Sequence, residues 1–178
     1  MRILGIDPGL VTTGYGVIQV SGAACKLVEA GVIRTEQDDP LEQRIRKIYS
    51  EIRQVIDEFK PKAVAVEELY THYDHPTTAT LMGHARGVVF LAAAELDLPV
   101  ASYAPTRIKK ALTGSGRAGK MQVQRMVQAS LGLARVDQPD HVTDALAAAL
   151  CHANVLSRSI LMQQSPVIPS KIGRSNRG

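Results

Sequence analysis

Apolar positions along the chain recur in two periods, and each change of period marks an element. Residues 2–7 (RILGID) form a short apolar run that reads as a buried strand ending in a carboxylate. TTGYGVIQV (12–20) and CKLVEAGVIRT (25–35) follow, separated by a Ser-Gly turn at 21–22, and together predict a three-stranded antiparallel meander. From Leu41 the period lengthens, with apolar residues at 41, 45, 48, 52, 55, 56 and 59 and Pro40 near the start, as in a helix. KAVAVEEL (62–69) is a second short apolar run closed by acid, repeating the pattern of the first strand. A helix over about 77–96, a strand PVASY, a helix after Pro105, a basic loop TGSGRAG and helices over 119–132 and 139–157 complete the reading. Residues 158–178, which end in SPVIPSKIGRSNRG, read as a basic, disordered tail behind a single domain of residues 1–157.

This order predicts a mixed, five-stranded α/β sheet: an antiparallel meander extended by strands that return through helical crossovers, with helices on both faces. In such sheets chemistry gathers at strand ends and helix termini. Asp7 and Glu67 both close strands, so they are expected side by side at one edge. A buried charge costs several kcal/mol unless it is paired, and Asp7 therefore needs a positive partner.

Composition narrows the class. A chain of 178 residues with 45% hydrophobic positions can bury a core. Two cysteines, Cys25 and Cys151, make no disulfide framework. The first apolar run is too short for a signal peptide, and none reaches the ~18 residues of a membrane span. The cytoplasm is the expected compartment, with no membrane partner.

The net charge of +4 is modest, but it is segregated. Leu98 to Val136 contains no acid, yet carries Arg107, Lys109, Lys110, Arg117, Lys120, Arg125 and Arg135. Such a stretch suits a surface that faces phosphates, although a charge run can equally be a plain solvated face.

Each acid also has an ordinary explanation. Asp7 before Pro-Gly can serve a turn, Glu67 or Glu68 can mark where a strand meets water, and Asp140 can sit in a helix's first turn. The combination is more demanding. PDHVTDALAAAL sets His141 and Asp144 at i and i+3, on one side of an otherwise apolar helix. Two strand-end carboxylates with this pair make an oxygen-rich ligand set that suits Mg²⁺ or Mn²⁺. Two such ions about 4 Å apart activate water and stabilise a leaving oxygen in phosphodiester hydrolysis. Asp7 is on this reading held by metal rather than by a side chain.

GIDPGLVTTGYGV, AVEELY, GHARGV and DHVTDALAAAL, in this order and spacing, closely resemble the RuvC family of Holliday-junction resolvases over about residues 2–155. The resemblance implies a ribonuclease H-like fold and a metal-dependent endonuclease that resolves four-way DNA junctions by paired, symmetric nicks. It implies Asp7, Glu67 and Asp144 as catalytic metal ligands for two ions per site. His141 stands where many members carry aspartate, so it becomes the fourth ligand and bears on metal preference; Glu68 falls where no acid is required. Tyr70 matches an aromatic residue that stacks on bases, and Lys109 and Lys120 match lysines that hold backbone phosphates. Arg107, Lys110 and Arg117, in the same basic stretch, are further candidates for contact with DNA. The family also implies a homodimer and the branch-migration proteins RuvA and RuvB as partners.

The remaining histidines carry no such expectation. His72 and His75 lie in a loop facing solvent or DNA, and His84 and His152 read as packed or helix-surface residues. Gly83 and Gly87, four apart in LMGHARGV, give a smooth helix face that can pack on a second copy or on its own sheet. Two other classes compete with the nuclease. An actin-like or sugar-kinase-like ATPase needs a second related domain and phosphate loops, and a binding module without catalysis needs a broken ligand set. The chain shows neither.

Overall fold

A computed structural model describes residues 1–69, 76–134 and 140–164. Strands β1 (Arg2–Asp7), β2 (Thr12–Ser21) and β3 (Ala24–Arg34) form the meander. Helix α1 (Leu41–Phe59) leads to β4 (Ala63–Glu67), α2 (Pro76–Ala94) to β5 (Val100–Tyr103), and α3 (Pro105–Thr113), α4 (Lys120–Leu131) and α5 (Asp140–Gln164) follow. Both β4 and β5 are parallel to β1, and the sheet order is β3-β2-β1-β4-β5. The mixed five-stranded sheet expected from the sequence is the one observed.

Strand alternation sorts the core into two layers. Leu4, Ile6, Val64 and Val66 face α1 and α2, where they meet Ile48, Ile52 and Val89, all fully buried. Ile3 and Ala65 face the other way, towards α3, α4 and α5, with Val127, Leu146 and Leu150. The same period carries on to the strand ends. Asp7 shares the parity of Ile3 and Gly5, and Glu67 that of Ala63 and Ala65, so both acids belong to the face covered by α5.

That face is lined with small residues for a steric reason. A Cβ at Gly5 would stand 2.0 Å from the carbonyl oxygen of Ala145, and one at Gly14 would stand 2.0 Å from that of His141. Gly14 is the register partner of Asp7, and Gly16 that of Gly5. The backbone of α5 therefore lies directly on β1 and β2, its own contact face reduced largely to alanine. Gly14 and Gly16 punctuate an alternating run in the sequence; in the fold they form, with Gly5, the slot that seats a helix.

One expectation changes. Helix α5 continues to Gln164, so residues 158–164, expected within a disordered tail, are helical. Their sequence, RSILMQQ, contains good helix formers, and the first breaker is Pro166, which disfavours helix at the residue before it. Residues 165–178 lie outside the described residues. Among the described residues no helix is long and apolar enough to cross a membrane.

A methyl group at Gly5 or Gly14 cannot be accommodated without lifting α5 from the sheet. Gly5→Ala and Gly14→Ala are each expected to cost about 2–4 kcal/mol in denaturant unfolding, although Gly→Ala in an uncrowded strand is neutral or favourable.

Candidate active site

The parallel register of β1 and β4 pairs Ile6 with Val66, which sets Asp7 and Glu67 next to each other at the same sheet edge. The chain leaving Asp7 is pinned at once: Thr13 is fully buried, donating its Oγ1 hydrogen to the carbonyl of Gly9 at 2.6 Å and accepting from the Gly9 N–H at 3.3 Å. On the far side of β4, Glu67 pairs with Tyr103 of β5, and the Glu68 N–H donates to the Tyr103 carbonyl at 2.9 Å. Tyr103 is anchored in turn by a 2.6 Å hydrogen bond between its hydroxyl and Nδ1 of His152 on α5. The end of β1 is thus pinned to its own turn, and the end of β4 is tied through β5 to the helix that carries the remaining two candidates.

The first turn of α5 brings His141 to Asp7, with Nδ1 of the ring 2.6 Å from Oδ2 of the carboxylate. This corrects the expectation that Asp7 has no side-chain partner. A ring engaged through Nδ1 keeps Nε2 as its one other ligating atom. One turn further on, Asp144 lines a cleft of about 210 Å³ together with Glu67, Lys109 of α3 and Lys120 of α4. Apolar side chains, Ile108 and Val123 among them, close the rest of its wall.

The electrostatics are those of anions held together against their preference. Burial first, and then the charges of Asp7 and Asp144, push Glu67 up from 4.5 to about 7, with Lys109 and Lys120 opposing. Burial also raises Asp7, against the hydrogen bond and charge of His141, and raises Asp144, to which Asp7 adds repulsion. Lys120 is held by an ion pair of 2.8 Å with Asp140, and both partners are well exposed.

Three carboxylates and one imidazole nitrogen match the donor chemistry of Mg²⁺ or Mn²⁺, and a divalent cation is what would relieve the repulsion at Glu67. Glu67 and Asp144 line the cleft, whereas Asp7 and His141 are paired with each other and are not part of its lining; among the described residues no three such groups are drawn together as a ready metal cage.

The basic residues divide. Lys109 and Lys120 reach the cleft, whereas Arg107 and Lys110 lie on the opposite side of α3 and line a different concavity. Arg117 is exposed in the loop between α3 and α4, its N–H bonded to Oγ of Ser115. Glu68 is exposed, as is His84 on α2. Tyr70, His72 and His75 lie outside the described residues. Sequence reasoning missed the Tyr103–His152 anchor, for which the only signal is a histidine on the apolar helix α5.

A sheet of this order, with acids closing β1 and β4 and a further acid in the first turns of the covering helix, defines the class: a ribonuclease H-like nuclease. The family profile described as "Crossover junction endodeoxyribonuclease RuvC" matches residues 3–152. A protein of that description from Rhodopirellula baltica is 50% identical over 149 residues, 84% of each chain. The solved structure of Thermus thermophilus RuvC superposes with a TM-score of 0.84 at 38% identity, covering 89% of this chain and 97% of that one. Another, of T. thermophilus RuvC in complex with a Holliday junction substrate, gives 0.82 at 36% identity over 89% and 96%. The chain belongs to the RuvC family of crossover junction endodeoxyribonucleases.

The strain at Glu67 is measurable. Its folded carboxyl keeps a proton up to about pH 7, but an unfolded one releases it near 4.5. The folded state therefore binds more protons between those values, and stability is lost as pH rises through that window, by about 3 kcal/mol at most. In chelator, thermal unfolding between pH 4.5 and 7.5 is expected to show this decline; Glu67→Gln flattens it, and saturating Mn²⁺ does so too by competing with the proton.

Proposed function

We propose that the protein resolves four-way DNA junctions by hydrolysing one phosphodiester bond in each of two strands. The single observation that carries this reading is the half-buried pair of acids, Glu67 and Asp144, which share one small cleft with two lysines. An acidic floor beneath a cationic rim suits a phosphodiester: the anions hold divalent cations, and the lysines offset the backbone charge beside them.

Asp7, Glu67, His141 and Asp144 are the residues that would hold Mg²⁺ or Mn²⁺, two ions per site. When bound, such ions lower the pKa of water and stabilise a leaving oxygen. The chain's own contributions are distinct. Ile108 and Val123 restrict solvent in the cleft, Lys109 and Lys120 orient the phosphate, and the His141–Asp7 hydrogen bond fixes the Asp7 carboxylate. Tyr70 supplies an aromatic face for an unpaired base, a contact worth about 1–3 kcal/mol.

Paired nicks need two active sites, and a two-fold dimer is the simplest arrangement. Helix α2 offers the surface: Gly83, Gly87 and Leu91 share one side, the glycines have open space above them, and Leu91 is 51% exposed. RuvA and RuvB, in the cytoplasm, would deliver the junction.

Cleavage of a synthetic four-way junction, with linear duplex and RNA as controls, tests the reading. The parent is expected to cut only the junction and only with Mg²⁺ or Mn²⁺. Asp7→Asn and Asp144→Asn should lower the single-turnover rate more than about a hundredfold while junction binding persists. Unimpaired cleavage by either variant overturns the site. Because an imidazole favours Mn²⁺ more than a carboxylate does, His141→Asp should raise the Mg²⁺:Mn²⁺ rate ratio. Light scattering should give twice the chain mass for the parent and the chain mass for Leu91→Glu.

A further inference from the structure

Beyond the cleft, α3 and α5 enclose a second concavity of about 340 Å³, lined by Arg107 and Lys110 from α3 and by Cys151, Asn154 and Arg158 from α5. Helix α3 separates the two hollows. Lys109 lies on its cleft side, while Arg107, two residues before it, and Lys110, one residue after it, lie on the other. Helix α5 runs beneath both, because Asp144, Cys151, Asn154 and Arg158 recur at helical spacing along one side.

Three cations meet in this groove without an acid in its lining. None of the ion pairs formed among the described residues involves Arg107, Lys110 or Arg158. Its frame is built rather than incidental. The Arg107 guanidinium stacks over the Tyr103 ring at 5.1 Å, and Tyr103 is tied through its hydroxyl to His152. Asn154 donates from Nδ2 to the carbonyl of Ala111 at 3.3 Å, joining the two helices. On the floor, the Cys151 thiol is raised by burial, and both Arg107 and Arg158 act against that rise, so the positive field reaches the bottom of the groove. The opposite face of the sheet has the reverse character, a hollow lined by Glu29, Glu51 and Glu58.

We infer that the groove between α3 and α5, with Arg107, Lys110 and Arg158, holds the backbone phosphates of a DNA arm at a second point away from the cut. The inference rests on the junction-resolving reading of the cleft. Asp144 and Arg158 are fourteen residues apart in one helix, which is about 21 Å along its axis. Backbone charges recur every 3.4 Å per strand of duplex, so the groove meets the arm about six nucleotides, or half a helical turn, from the scissile bond. Two points of hold separated in this way fix the direction of the arm as well as its position.

Arg158 is exposed and distant from the cleft, so its replacement should not disturb the fold. Arg158→Gln and Arg158→Lys, with the parent, would be titrated against a four-way junction across a salt series. The glutamine variant is expected to bind about three- to tenfold more weakly, with a log–log salt slope shallower by about 0.9, and to lose less in single-turnover rate at saturation than in affinity. The lysine variant should keep most of the affinity. A single neutral methylphosphonate, walked along each arm strand, should weaken the parent about half a turn from the cut and leave Arg158→Gln indifferent at that position. If the parent binds and cuts junctions but Arg158→Gln matches it in affinity and slope, the groove is not a DNA contact. Equal sensitivity of parent and variant at every methylphosphonate position overturns the inference as well. Loss of stabilisation by inorganic phosphate in Arg158→Gln, with junction affinity intact, would assign the groove to free anions and overturn it too. Failure of the parent itself to bind junctions would remove the reading on which the groove depends, and the groove with it.

Discussion

The approach of α5 to the bare backbone of β1 and β2 is the contact on which the site depends. Two parallel strand ends place Asp7 and Glu67 side by side, but a helix seated at ordinary distance over larger side chains would leave His141 and Asp144 out of reach. Gly5 and Gly14 remove that distance. Because the helix carbonyls occupy the space of two missing side chains, its first turns are held against the strand end that carries Asp7. The acidic cluster is therefore enforced by packing, and packing can offset the repulsion because apolar burial over the whole of α5 is far larger than the strain at one carboxylate.

The same sheet also divides the charge of the molecule. Its α1–α2 side carries a hollow lined by Glu29, Glu51 and Glu58, and its α3–α5 side carries the lysines of the cleft and the acid-free groove of Arg107, Lys110 and Arg158. The three candidate carboxylates are partly buried while Lys120 at the cleft is well exposed, so an approaching polyanion meets the cation before the acids. A cation-binding centre and an anion-binding surface are thereby kept from cancelling each other.

Much of this was legible in the sequence because it is local. Period two gave the strands, the period of α1 gave a helix, and acids at the ends of two apolar runs marked the sheet edge. What escaped is non-local or depends on direction. The Asp7–His141 bond joins residues 134 apart, and nothing in either segment specifies its partner. The glycines of β1 and β2 look like strand breakers until the helix that fills them is in place. Arg107, Lys109 and Lys110 read as one basic stretch, yet one helix turn sends them to opposite sides of α3. Composition points to an end of α5 near residue 157, whereas the first helix breaker, Pro166, marks the boundary the helix follows.

The ion pair between Lys120 and Asp140 shows how little a cationic residue at a nuclease cleft need add to affinity. Before any substrate arrives, the lysine has an anion at 2.8 Å, and a phosphate can take it only by exchange. One exposed ion pair, worth roughly 0–1 kcal/mol, is traded for another, and the net gain in attraction is small. The exchange instead releases Asp140 and the tie it makes between α4 and the start of α5. On the proposed reading Lys120 therefore contributes alignment of the phosphate more than affinity for it, and the right DNA is not made hard to release.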